Sequence, residues 1–402
     1  MGYALPFLSK RQAKPTILQR CRSDEATRAR LKYNPWYLHI EKQEGTRVWV
    51  EGQEMVLMSS NDYLGFSHHP EVIGSAQSFT EKWGISTTGA RLANGSRTFH
   101  TELEERLAAW MGKEACFVHS AGYISCMSAV SAFATKGDVV VVDRNVHSSL
   151  WSGIGLSGAS VERFAHNDPF DLRSVMSTED PDAPKMVVFE GVYSMEGHVA
   201  RLPEIMDAVA GHNAFMVMDD AHGMGVMGPQ GRGTAAHFGL QDGVDVICGS
   251  LSKSLGSVGG FVAGSREVME YLRTHSKQTI FSAAISPATA GAALRSLQLL
   301  EEEPEHLERL WENTRYYKQL LAEIGANIWE SETPAVPILL GSKERVYNVW
   351  RGLLKKGIFS VPAISPAVPP RKDLIRTAVT AAHTREDLER VVEAIAELCR
   401  KF

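Results

Sequence analysis

From residue 70 to about 290 the chain alternates short apolar runs with helix-length segments, and this alternation constrains its fold more than any other feature. The runs are Ala115–His119, Val139–Asp143, Met186–Glu190, Phe215–Asp219, Val244–Cys248 and Phe261–Ala263. Their apolar residues follow one another almost without interruption, as in strands covered on both faces, and most runs close on a polar residue. Helices between such strands lie on the faces of the sheet. The expected architecture is therefore α/β with a mainly parallel central sheet in a large domain. Ligands of such sheets sit beyond the carboxyl ends of the strands, where the polar closing residues fall.

At 402 residues the chain has room for a large domain and a smaller one. Residues 1–45 are polar and helix-prone without a clear core face, which reads as an arm that would lie on a neighbour in an oligomer. Arg47–Met58 alternates apolar and polar residues around a glycine-containing turn, the pattern of a hairpin. Arm and hairpin are assigned to residues 1–55 and the large domain to residues 56–290. A long helical stretch begins after Ser286-Pro287 and runs into the mid-320s with a break near Pro304. A strand at Ala335–Leu340, a helix over 343–355, a strand at Ile358–Val361 and a last helix capped by Thr384 follow. That helix carries Leu388, Val391, Val392, Ile395 and Leu398 on one face. Residues 291–402 thus make a smaller C-terminal α/β domain.

Composition removes several function classes. A net charge of −5 offers no basic surface for nucleic acid. The five cysteines are odd in number and scattered, which excludes a disulfide framework and favours a reducing, cytoplasmic setting. No CxxC or Cys/His cluster has zinc-site spacing, so no metal is expected. The apolar run at the N-terminus is too short for a signal peptide, and Pro6 stands where a myristoylation signal needs Ser or Thr. No apolar stretch approaches the roughly 18–20 residues that span a bilayer. A lipid-like substrate would still leave room for peripheral contact with a membrane.

The chemistry-bearing residues gather at the strand ends. Lys253 stands among serines and glycines in Gly249–Gly260, after the run 244–248. A lysine there can reach an electrophilic carbonyl while neighbouring hydroxyls and amides hold an anion, which suits an aldehyde cofactor bearing a phosphate. Alone, the stretch reads more readily as a flexible serine-rich surface loop than as a site. Asp219, closing the run 215–219, can pair with a protonated pyridine nitrogen, and His222 can reach a ring substituent; a solvated turn is the plainer reading. Ser120–Tyr123 opens an apolar helix whose first amides suit a phosphate, or is simply a strand-to-helix turn. His147 could stack on an aromatic face or hydrogen-bond within its own turn. Asn61 could bind a carboxylate or make an Asx turn. Arg376, a cation in an apolar strand-like run, suits a bidentate carboxylate.

Taken together, the blocks SSNDYLGFSHHP (59–70), TTGARLANGSRTFHTELE (87–104), SAGY (120–123), VDRNVHSSL (142–150), EGVYSMEG (190–197), DDAHGMGVMGPQGRG (219–233), SLSKSLGSVGGF (250–261) and SPAVPPRKDLIRTAVTAAHT (365–384) resemble the α-oxoamine synthases, pyridoxal-phosphate enzymes of fold type I. The resemblance covers about residues 45–400. It implies that Lys253 binds pyridoxal 5'-phosphate as a Schiff base and moves protons at the substrate Cα. It implies that Asp219 pairs with the pyridine nitrogen, His222 contacts the ring oxygen and His147 stacks on the ring. Gly122, Tyr123, Ser250 and Ser252 would hold the phosphate, Glu190 and Ser194 would line the pocket, and Asn61 and Arg376 would bind the amino-acid carboxylate. The family is homodimeric, with Ser282 reaching the partner's phosphate. Its reaction is a decarboxylative condensation of an amino acid with an acyl thioester, carried by coenzyme A or a carrier protein, to an α-amino ketone. SHHPEVI and DDAHGMGVMGPQGRG resemble the 8-amino-7-oxononanoate synthase branch, which joins alanine to a pimeloyl thioester. TTGARLANG, GRGTAAHFGL, SKSLGSVGGFVAG, EPEHLERLWENT and ISPAVPP resemble the bacterial serine palmitoyltransferase branch, and residues 230–320 favour it. Cys126, where the family usually has asparagine, and Ala93, where the palmitoyltransferases tend to a larger residue, depart from the pattern. They leave open a specialised synthase using another amino acid. The other readings are a lyase resembling 2-amino-3-ketobutyrate ligase and a non-catalytic partner subunit.

Overall fold

The computed structural model describes residues 16–22, 25, 29 and 37–402, so the arm expected over residues 1–45 lies largely outside the described residues. A short sheet opens the fold with β1 (Lys42–Glu44), β2 (Arg47–Val50) and β3 (Gln53–Leu57). β2 and β3 form the expected hairpin, with Val48 opposite Met55. The main sheet follows. It contains β4 (Ala115–His119), β5 (Val139–Asp143), β6 (Ser160–Phe164), β7 (Lys185–Glu190), β8 (Ala214–Asp219), β9 (Val246–Ser250) and β10 (Gly260–Gly264) in the spatial order β4-β10-β9-β8-β7-β5-β6. From β9 to β6 every pairing is parallel, whereas β10 runs antiparallel to both β4 and β9.

The continuous apolar runs are explained by two cores, one on each face. Val187, Phe189, Met216 and Met218 join Leu103, Leu172, Ile205 and Leu297 from helices on one side. Met186, Val188, Val217 and Val246 join Ala129, Ile154 and Leu272 on the other. Successive strand residues therefore alternate between two apolar layers, and no polar position is left. β9 begins two residues later than the sequence suggests, because the Asp245 carboxylate accepts a hydrogen bond from the Met216 amide (2.7 Å) instead of entering the ladder. β6 has no counterpart among the expected runs. It is an edge strand in which only Phe164 is buried, so it carries no continuous apolar signal.

The C-terminal part contributes β11 (Ala335–Leu339), β12 (Ile358–Phe359), β13 (Val361–Ala363) and β14 (Leu374–Ala378). β11, β14 and β13 form an antiparallel sheet, and β12 pairs in parallel with β3 of the hairpin. The hairpin's Val48, Met55 and Val56 consequently share one core with Val336, Trp350, Val391 and Leu398. The helical stretch breaks where expected: Pro287–Glu302 ends beside Pro304, which cannot donate an amide to continue the ladder, and Glu305–Glu323 begins. Leu310 of the second helix sits in the first core and Tyr317 and Leu321 in the C-terminal one, so this helix ties them together. Arg385–Lys401 closes the chain behind a capping box between Thr384 and Asp387. No helix among the described residues is long and apolar enough to cross a membrane.

Candidate active site

A cavity of about 490 Å³ opens at the carboxyl ends of β5, β7, β8 and β9, bounded by the helix that follows β4 and by Arg376 of β14. Asn61, Gly122, Tyr123, His147, Glu190, Ser194, Asp219, His222, Ser250, Ser252, Lys253 and Arg376 all line it. Of the residues named from sequence, Ser282 alone does not. It lies in the turn after Lys277–Ile280, next to Ala283, which bridges to Ala90.

One end of the cavity suits an anion. The helix Gly122–Ser131 starts from Ala121 in extended conformation, and no side chain caps its first amides. The Ser250 and Ser252 hydroxyls lie 2.8 Å apart beside it. A Cβ on Gly122 would come within 3.0 Å of Ser250 Oγ, so only glycine leaves the helix start and the serine this close. Tyr123 hydrogen-bonds Ser152 Oγ at 2.6 Å. An uncapped helix N-terminus, two hydroxyls and a glycine-lined cradle fit the phosphate of pyridoxal phosphate.

The middle of the cavity is governed by buried ionisable groups. Asp219 Oδ1 accepts from the Ala221 amide and Oδ2 from the Cys126 thiol, both at 3.1 Å. Asp220, next along, points away. It accepts from the Thr234 amide (2.7 Å) and hydroxyl (2.6 Å), and the Cβ-less Gly191, Gly223 and Gly233 surround it. Burial pushes the Asp220 carboxyl up to about 7. Adjacent carboxylates at one strand end thus have different tasks, one facing the cavity and one folding the glycine-rich loop. His147 caps Ser148–Ser157, its amide donating to Glu190 Oε1 (2.6 Å) and its ring meeting Ser149 Oγ (2.7 Å). Burial lowers its pKa against the opposing pull of the Asp219 charge, and the charge of Lys253 lowers it further. A neutral imidazole follows. His222 is held well below the usual histidine range by burial, Lys253 and Arg376. Glu190 is driven well above the carboxylate range by burial and by Asp219 and Glu196.

Lys253 sits in a tight loop in which the Gly256 amide donates to Lys253 O (2.9 Å) and the Ser254 hydroxyl to Met224 O (2.7 Å). Burial lowers the pKa of its amine against the opposing pull of Asp219 and Glu190. A larger share of the neutral, nucleophilic form results. At the far side Arg376 Nε donates to Ser194 O (2.8 Å) and Nη2 to Asn61 Oδ1 (3.0 Å), which fixes the plane of the guanidinium.

Two contributors escaped the sequence reading. Tyr63, fully buried in the quoted block 59–70, meets His222 Nδ1 at 2.8 Å. Cys126 stood out only as a departure from the family, with nothing to show that its sulfur touches Asp219. Away from the cavity, the fold brings His69, Glu303 and His306 together with ligand atoms within 4.8 Å of one another, a grouping no local spacing reveals. There Glu303 and His306 already pair at 3.0 Å, and Phe66 packs edge-on to both imidazoles.

Comparison with known proteins places this geometry. Residues 53–395 match the family model described as aminotransferase class I and II. A serine palmitoyltransferase of Sphingobacterium spiritivorum is 37% identical over 91% of this chain and 92% of its own length. An 8-amino-7-oxononanoate synthase of Bacillus velezensis is 38% identical over 90% of this chain and 93% of its own. A serine palmitoyltransferase structure solved with the PLP internal aldimine superposes with a TM-score of 0.93 at 31% identity, covering 96% of this chain and 99% of that one. The fold agrees with those relatives, and the chain belongs to the aminotransferase class I and II family and, within it, to the pyridoxal-phosphate-dependent acyltransferases of the α-oxoamine synthase type.

Proposed function

We propose that the protein condenses an amino acid with an acyl thioester and releases carbon dioxide, as a serine palmitoyltransferase-like synthase. The observation that carries this reading is the convergence of Lys253, Asp219, the uncapped helix start and the Arg376–Asn61 pair on one cavity. Bound pyridoxal phosphate supplies the electron sink that makes the amino-acid Cα proton acidic. The Gly122 end of the helix with Ser250 and Ser252 would hold its phosphate, Asp219 its ring nitrogen, His222 its ring oxygen, and His147 one face of its ring. Arg376, its plane set by Ser194 and Asn61, orients the substrate carboxylate that later departs as carbon dioxide. Lys253, with its lowered pKa, removes and returns the Cα proton. Glu190 anchors the His147 backbone and helps exclude water.

The site is completed by a second copy of the chain in a cytoplasmic homodimer. Ile85, Leu92, Val258 and Phe281 are exposed by 78%, 61%, 58% and 81%. They lie in the segments joined by the Ala90–Ala283 bridge and in the Lys253 loop, where Ser282 would reach the partner's phosphate. The alternative substrate pair is alanine with a pimeloyl thioester, since both kinds of relative are similar at nearly equal identity.

Mass spectrometry of the products from serine, alanine and glycine against short and long acyl-CoAs tests the reading. Long-chain condensation with serine is expected. Cleavage of an amino ketone by coenzyme A, without condensation, would replace the proposal by a lyase. Lys253→Ala is expected to lose both the visible absorption of bound cofactor and carbon dioxide release, and retained turnover would sink the mechanism.

A further inference from the structure

We propose that Cys126 is a positioning residue for the cofactor, its thiol holding the Asp219 carboxylate in the orientation that pairs with the ring nitrogen. The proposal rests on the reading of Asp219 given above. A carboxylate as buried as Asp219 needs donors on both oxygens, and the protein supplies one to each: the Ala221 amide to Oδ1 and the Cys126 thiol to Oδ2, each at 3.1 Å. Each oxygen keeps lone-pair capacity for a further N–H. Turning the carboxylate about its axis would break both contacts together, so its plane is fixed before any ligand arrives.

The position of Cys126 follows from the fold. It lies one turn beyond Gly122, so a single helix offers its first amides to the anion end of the cavity and its thiol to Asp219. That helix lies close to the sheet because Gly260 has no Cβ to meet the Gly122 backbone. Cys248, opposite Asp219 in the β8–β9 ladder, lies against the same sulfur. The contact with Cys248, burial and the charge of Asp219 all raise the Cys126 pKa well above the ordinary thiol value. The sulfur is therefore a persistent hydrogen-bond donor and an unreactive thiol.

The test uses full-length protein stripped of cofactor and titrated with pyridoxal phosphate, reading affinity and the pH midpoint of the visible band. Cys126→Ala is expected to weaken affinity about three- to tenfold, the size of one lost hydrogen bond of ordinary strength, because a thiol is a weak donor. It should also raise the midpoint, because Asp219 is left with more unscreened negative charge. Cys126→Ser, which restores a donor stronger than the thiol, should recover affinity towards wild type and bring the midpoint below the wild-type value. Equal affinities and midpoints in all three proteins would overturn the proposal. Should the alanine variant fail to fold, serine alone decides: its stronger donor moves the midpoint down, and an unchanged midpoint overturns the idea. Asp219→Asn separates the two claims. If it abolishes tight binding while both Cys126 variants behave as wild type, only the Cys126 proposal falls. If it binds cofactor normally, the reading of Asp219 falls as well.

Discussion

At the residue scale the site works by removing choices from charged groups. Arg376 emerges from a buried strand with two of its donors already committed to Ser194 and Asn61, so its fork is held in one plane, as the proposed carboxylate contact requires. Arg376→Lys keeps the charge and loses the fork. We expect KM for the amino acid to rise about ten- to a hundredfold, with the visible band of bound cofactor unchanged. A variant with unaltered KM would show that the carboxylate binds elsewhere. Asp219 and Lys253 could be picked out in the sequence because each is a polar residue at or just beyond the end of an apolar run, and Arg376 because it is a lone cation inside one. Tyr63 could not. It follows the polar residues Ser59–Asp62 and precedes the buried Leu64 and Phe66, which marks it as core, and its role arises only because the chain brings it to His222 from 159 positions away.

At the element scale, loops are held by close backbone contacts that side chains would obstruct. Gly256, with φ +58, turns the Lys253 loop against the segment at Phe66, where a Cβ would stand 2.5 Å from Ser67 N. Gly256→Ala is expected to cost about 1–3 kcal/mol through the left-handed backbone and this contact. It should also weaken cofactor binding, because Lys253 is displaced with the loop. A denaturation midpoint equal to wild type would contradict this. Strands and helices were legible wherever burial on both faces produced continuous apolar runs. The edge strand β6 was not, since all its residues but Phe164 are exposed and leave no continuous apolar run.

At the scale of the whole molecule, His383 joins distant parts. Its ring accepts from the Thr380 amide at 3.0 Å and meets Leu57 O of the hairpin at 3.1 Å. Burial lowers its pKa from 6.5 to about 4. The folded protein therefore binds fewer protons than the unfolded chain between those values. His383 destabilises the fold increasingly as pH falls through that window and has no such effect above it. Urea midpoints at a series of pH values should show a slope about 1.4 kcal/mol per pH unit shallower in His383→Gln between about pH 4 and 6.5. An unchanged slope would mean that the other buried histidines, His100 and His119, carry the acid sensitivity. Assembly belongs to the same scale. Phe281→Asp, placing a charge on a residue 81% exposed in the single chain, is expected to weaken dimerisation by at least about tenfold in sedimentation. A wild-type protein that sediments as a monomer would refute the homodimer directly.

The sequence by itself determined the α/β class, the helix break at Pro304, the capped last helix and nearly all the cavity's ionisable residues. Hydrophobic continuity, proline and capping chemistry act locally and leave local marks. Tertiary structure alone decided that the N-terminal hairpin shares the C-terminal core, because β3 finds β12 across some 300 residues of chain. It also decided that Tyr63 supports His222 and that the Cys126 thiol faces Asp219. Such contacts depend on which surfaces meet after packing, and no short-range pattern in the chain encodes them.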